Sequence, residues 1–172
     1  MFLHEMFFCT ICRLTIHGST IVIVRTPTEL TAAFRQQGLK ITPQRQLLFR
    51  LMHENTTHPT AEALFATASE QMPGISLRTV YQTLGELAEM GEIRLINCDG
   101  GATRFDPNVA DHHHVVCSRC GAIGDVEVRG AAALRPVGAR GFAVDEVGVV
   151  FHGTCATCRG ARKGSPAPQA NR

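Results

Sequence analysis

Residues 76–97 read SLRTVYQTLGELAEMGEIRLIN. Leu77, Val80, Leu84, Leu87 and Met90 recur at helical spacing, the pattern of a helix with one apolar stripe. Ser76 stands as its N-cap and Gly91 as its stop. A strand-like run, EIRLIN at 92–97, follows at once, and a second, ATRFD at 102–106, lies across Cys98-Asp99-Gly100-Gly101. Asp-Gly-Gly between such runs is a hairpin signal.

Working outward, the residues before Ser76 divide into three more helices. Thr28–Gln37 carries Leu30, Ala33 and Phe34 on one side. Thr42-Pro43 reads as N-cap and first helical position of a second helix, with Leu47, Leu48 and Leu51 inside and its end near His53. Pro59-Thr60 opens a third, with Glu62 in its first turn and Ala63, Leu64 and Ala68 inside, until Pro73-Gly74 breaks it. Helices closed by a two-stranded hairpin make a winged helix-turn-helix, with the third and fourth helices as the pair. The fold class is therefore α+β: a winged helix-turn-helix domain at 25–105, a hinge at 106–111 (DPNVAD), and a small α/β domain at 112–159.

The second domain offers short strand candidates, HHVVC, IGDVEV and the longer FAVDEVGVVF at 142–151, with a helical segment near 131–137. A unit of about 50 residues has too small a core to be stable without a staple. Residues 1–24, MFLHEMFFCTICRLTIHGSTIVIV, look foreign to the rest. Their apolar runs are too broken to span a bilayer or serve as a signal peptide. They read as a disordered extension or a misassigned start, and Cys9 and Cys12 within them are given no role. Residues 160–172 are rich in Gly, Ala, Pro and Arg and read as a disordered tail.

The chain has 172 residues, 44% hydrophobic, with a formal net charge of +2. That charge is too small to argue for nucleic acid, but its distribution is uneven. From Leu30 to His53 stand Arg35, Lys40, Arg45 and Arg50 with no acid. Seven cysteines make a complete disulfide framework impossible, and paired spacing favours metal.

Cys117-x-x-Cys120 and Cys155-x-x-Cys158 are the strongest chemical signal. Each pair sets two thiolates on one tight turn, and two pairs complete the tetrahedron that Zn²⁺ favours. Four sulfurs leave no open coordination position, so the site is structural. Cys98 has no partner nearby and reads as a loop residue. In DHHHVVC, residues 111–117, alternate side chains share a face, so His112 and His114 point one way and His113 the other. Two histidines on one strand face, beside a hinge, suggest a second metal whose remaining ligands spacing cannot choose.

ITPQR (41–45), HPTAEALF (58–65), ISLRTVYQTLGEL (75–87), RFDP (104–107), DHHHVVCSRCG (111–121) and CATC (155–158) occur in one order along the chain. Together they resemble the Fur family of bacterial metal- and peroxide-responsive repressors, over roughly residues 28–158. The resemblance implies a DNA-binding first domain and a dimerisation second domain. It implies one structural zinc per subunit on Cys117, Cys120, Cys155 and Cys158, as the spacing does. It further implies one regulatory Fe²⁺ or Mn²⁺ per subunit, held by His58, Asp106, His112, His114 and Asp125. An all-nitrogen and oxygen set suits those ions. The partners so implied are double-stranded operator DNA and a second copy of the chain, in the cytoplasm, with no membrane and no small-molecule substrate. Aspartate rather than glutamate in RFD resembles the peroxide-sensing branch, in which iron at this site reacts with hydrogen peroxide and a ligand histidine, His58 or His112, is oxidised. Iron-uptake and zinc-uptake repressors are the alternatives.

At the DNA, Arg45 and Arg78 are read as phosphate contacts, with Thr79, Tyr81 and Gln82 on the recognition helix. Gln82 stands where relatives often have Arg or Asn, and Gln can pair with adenine. The family's further acidic and histidine site has no counterpart, since residues 128–144 contain neither. The chain lacks His-Glu-x-x-His, His-x-Glu with Pro-Cys-x-x-Cys, and a phosphate-binding glycine loop, which argues against an enzyme.

Overall fold

A computed structural model of the chain describes residues 25–53, 55–97 and 101–160, together with the strands Arg13–Ile16 (β1) and Ser19–Val22 (β2). The first domain holds four helices: Pro27–Gln36 (α1), Pro43–Met52 (α2), Ala61–Gln71 (α3) and Leu77–Glu89 (α4). Each starts where its polar cap sits. Thr26 and Glu29 form a reciprocal capping box on α1, and the side chains of Thr42, Thr60 and Ser76 accept the third backbone N–H of α2, α3 and α4. Gly91, with φ at +71°, ends α4 in the left-handed conformation that glycine adopts without strain.

The apolar stripes of these helices meet in one core. Leu30, Phe34, Leu47, Leu48, Phe49, Met52, Leu64, Val80, Leu84 and Leu87 are all buried within it. Phe34 and Phe49 pack edge to face with ring centroids 4.7 Å apart. The wing follows as Arg94–Ile96 (β3) and Arg104–Asp106 (β4), antiparallel, pairing Arg94 with Asp106 and Ile96 with Arg104. Ile93 and Phe105 tuck the wing onto the helical core.

The second domain is a three-stranded sheet in the order β6-β5-β7, made of His113–Cys117 (β5), Ile123–Val126 (β6) and Val150–Gly153 (β7). β6 runs antiparallel to β5 and places Asp125 opposite His114, while β7 runs parallel to β5. A short helix, Ala156–Gly160 (α5), closes the described chain.

Three expectations need correction. The strand expected over 142–151 forms only from Val150 onward. Phe142, Val144 and Val147 before it are exposed, with no strand to pair with among the described residues. The helix expected near 131–137 is a single 3₁₀ turn at Ala131–Ala133, stopped before Pro136. β1 and β2, expected within a disordered extension or a misassigned start, pair antiparallel, Arg13 with Val22 and Ile16 with Ser19. Cys9, Cys12, Cys98 and the tail beyond Gly160 lie outside the described residues. Among the described residues no helix is long and apolar enough to cross a membrane.

Candidate metal centre

The four paired cysteines converge. Cys117 ends β5 and Cys120 follows in the turn, while Cys155 and Cys158 flank the start of α5. Their sulfurs all lie within 4.8 Å of one another, with Cys120 Sγ 3.7 Å from Cys155 Sγ. Sulfurs at the corners of a zinc tetrahedron with bonds of about 2.3 Å would stand roughly 3.8 Å apart. The backbone N–H of Cys155 donates to Cys117 Sγ at 3.3 Å, and that of Cys158 to Cys155 Sγ at 3.5 Å. Burial raises the Cys117 thiol, but backbone N–H groups of Cys155, Cys120 and Arg119 outweigh it and bring the thiol down to about 6. Burial and the neighbouring sulfurs push Cys158 up to about 12. With Cys117 lowered and Cys158 raised side by side, a cation among the sulfurs would supply the charge that lets them act together as thiolate ligands.

The second cluster lies between the domains. His58 precedes the N-cap of α3, Asp106 ends β4, His112 and His114 straddle the start of β5, and Asp125 faces them from β6. One ligand atom from each of the five lies within 4.8 Å of all the others. His58 Nε2 is 2.8 Å from Asp125 Oδ1 and His112 Nε2 is 2.9 Å from Asp106 Oδ2. His58 and Asp106 are each 1% exposed, so the centre is closed on the side of the first domain.

The fit to a metal can be judged from the nitrogens. His58 Nε2 and His112 Nε2 are buried and, among the described residues, make no hydrogen bond. The carboxylates beside them are near, at 2.8 and 2.9 Å, but the geometry is not that of a hydrogen bond. Buried orphan acceptors are rare unless an ion satisfies them. Burial lowers the affinity of His58 for a proton, against the pull of Asp106 and Asp125, which keeps its ring neutral. Burial tends to raise Asp106, but the hydrogen bond with His114 and the Asn108 N–H help to leave it lowered. Neutral imidazoles and ionised carboxylates are the ligating forms. His113 faces away, as the alternation predicts, and its Nδ1 accepts the Val149 N–H at 3.3 Å. His152 is exposed on β7.

The expected DNA contacts separate into two groups. Arg78, Tyr81 and Gln82 are exposed on α4 and Thr79 is half-buried. The Tyr81 hydroxyl donates to Glu62 of α3, which lowers that carboxyl, and Gln82 Nε2 donates to Glu86 at 3.2 Å. Arg45 stands apart from these. It is buried, its Nη2 donates to both Glu86 oxygens at 2.6 and 2.5 Å, and its Nη1 donates to the Lys40 carbonyl. It fastens α2 to α4. Arg45→Ala is therefore expected to destabilise the fold by about 2–3 kcal/mol, because it leaves the Glu86 carboxylate without its partner. Arg78→Ala should leave thermal unfolding unchanged and flatten the salt slope of DNA binding by about one ion. Melting curves and salt titrations separate the two.

Sequence reading missed Arg94 and Arg104. Arg94 reaches from β3 to Asp111 at 3.0 Å and Glu146 at 2.7 Å, and Arg104 donates to two backbone carbonyls. An arginine in a wing carries no sign of its long-range partners.

A winged helix-turn-helix joined to a small sheet, with a four-sulfur cluster and a mixed histidine and aspartate cluster between domains, defines a metal-binding regulator of the two-domain kind. The sequence signature described as the ferric uptake regulator family matches residues 36–151. The chain belongs to that family. It is 36% identical over 99 residues to the peroxide-responsive repressor PerR of Staphylococcus aureus, which spans 58% of this chain and 67% of the relative. Among solved structures, the Campylobacter jejuni peroxide stress regulator is 26% identical with a TM-score of 0.55, over 78% of this chain and 99% of that one. The Helicobacter pylori ferric uptake regulator has the same fold at 18% identity, with a TM-score of 0.66 over 82% of this chain and 99% of the other.

Proposed function

We propose that this chain is a homodimeric transcriptional repressor that binds operator DNA when its interdomain site holds Fe²⁺ or Mn²⁺, and that hydrogen peroxide releases it. One observation carries the reading: five nitrogen and oxygen donors, drawn from both domains, converge within 4.8 Å. Metal bound there stabilises only the arrangement in which the domains meet, and so shifts the population toward it. In a dimer that arrangement sets the spacing of two α4 helices for adjacent major grooves. The exposed apolar residues Leu134, Val137, Phe142 and Val147 support a second copy as the partner of the small domain. Cys117, Cys120, Cys155 and Cys158 would hold one structural zinc per subunit, with no place left for a substrate.

Asp106 and the likeness to peroxide-responsive relatives favour peroxide as the signal. Iron in the site would supply the electron that splits peroxide. His58 and His112, whose Nε2 atoms face the centre, are the groups placed to take up oxygen. Either oxidation removes a ligand and unties the domains. The test is peptide mass spectrometry of zinc-containing protein loaded anaerobically with Fe²⁺ and treated with equimolar peroxide. The expected result is one added oxygen on the peptide carrying His58 or His112, absent when Mn²⁺ replaces Fe²⁺. No oxidation, with iron still required for DNA binding, would make this an iron-uptake repressor. Failure to bind iron would point to zinc.

A further inference from the structure

We propose that Arg104 is a positioning residue for the interdomain site: its guanidinium, strung between two backbone carbonyls, holds His58 where its ring can ligate and ties that placement to the cysteine turn. The inference rests on the sensing-site reading above.

His58 is the weak point of the centre. Its φ is +49°, the one positive value at a non-glycine position among the described residues. A side chain with a Cβ adopts that conformation only when its surroundings impose it. His58 also precedes Pro59, which narrows its backbone further. Nothing local makes this geometry restful, yet the ring must be held on the metal point with the side chain 1% exposed.

What imposes it comes from β4. The Phe105 N–H donates to the Pro59 carbonyl at 3.0 Å. Arg104 Nη1 donates to the carbonyl of His58 itself at 3.3 Å. The other arm of the same guanidinium, Nη2, donates to the Gly121 carbonyl at 3.3 Å. Gly121 follows Cys120, and its N–H donates to the Cys117 carbonyl at 2.8 Å. Arg104 therefore joins the loop that carries the first domain's histidine to the turn that carries two sulfurs. Alternation along β4 puts Arg104 on the same face as Asp106, another member of the centre. Among the described residues Arg104 forms no ion pair, and these donors go to neutral carbonyls. Its use is geometric, and only a planar fork with several donors can span both oxygens.

The experiment compares wild type, Arg104→Met and Arg104→Lys, each zinc-loaded. Mn²⁺ affinity is measured by calorimetric titration, and exchange of the Phe105 amide is followed in protein free of Mn²⁺. Lysine keeps charge and length, so it guards against a methionine variant that fails to fold. Both variants are expected to bind Mn²⁺ about tenfold more weakly, the effect of losing charge-assisted hydrogen bonds that are long for their type. Phe105 exchange should rise by a similar factor while zinc content and the melting of the helical core stay as in wild type. If the lysine variant binds Mn²⁺ within about twofold of wild type, Arg104 does not position His58 and the inference falls. His112→Asn is the control for the underlying reading: Mn²⁺ binding as tight as wild type in that variant would overturn the sensing site itself.

Discussion

Cys117→Ser is expected to lose the zinc and unfold the small domain while leaving α1–α4 folded. Beyond Asp106, the buried hydrophobic residues among those described are Val116, Cys117 and Cys158. Two of these three are themselves among the proposed zinc ligands. A sheet with so little apolar interior cannot offset the entropy of ordering its strands. Structural zinc in small domains contributes on the order of 10–16 kcal/mol of binding free energy, which there is folding free energy. Serine removes one thiolate and leaves three ligands of the wrong number. Zinc content and hydrogen exchange along β5, β6 and β7 check this. The Cys117→Ser protein should carry less than one-tenth of the wild-type zinc, since several kcal/mol of affinity is many decades. Exchange protection should vanish from His113–Cys117 and persist in α2 and α4, whose core is continuous without metal. A zinc-free variant that kept protection in β5 would show that the sulfurs are not structural.

The helical half was legible because its signals are local. Caps at Thr42, Thr60 and Ser76 and stripes such as Leu77, Val80, Leu84 and Leu87 are written within one turn of where they act. The cysteine cluster was legible from spacing because each Cys-x-x-Cys makes half a tetrahedron unaided. The histidine centre was half legible. Strand alternation pairs His112 with His114, but His58 and Asp106 arrive from other elements, and only family resemblance named them. The tie from Arg45 to Glu86 was not legible, because nothing in ITPQR shows that Glu86, 41 residues on, folds beside it. FAVDEVGVVF was misread for the converse reason. β-branched residues favour a strand, but a strand needs a neighbour, and most of this run has none among the described residues.

His58→Asn is expected to abolish the dependence of DNA binding on metal more completely than it abolishes metal binding. Four donors remain in the variant: Asp106, His112, His114 and Asp125. The last three belong to the second domain or its entry, and Asp106 is the last residue of β4, where the connector begins. His58 alone leads straight to the N-cap of α3, and through α3 to the helix-turn-helix. Metal held without it ties the second domain only to the end of the wing strand β4 and loses its direct hold on α3. Coupling between two ligands of this kind is typically about 5–150-fold in affinity, and it is reciprocal. Wild-type protein should therefore bind operator DNA tens of times more tightly with Mn²⁺, and bind Mn²⁺ tighter by the same factor when DNA is present. In His58→Asn both factors should fall below about threefold even with Mn²⁺ raised to saturation. His113→Asn, from the same run of histidines but facing Val149, should keep the coupling. DNA titrations at zero and saturating Mn²⁺ decide the matter. Full coupling at saturation in His58→Asn would mean that Asp106 alone transmits the signal, and that the buried ring of His58 serves affinity rather than the switch.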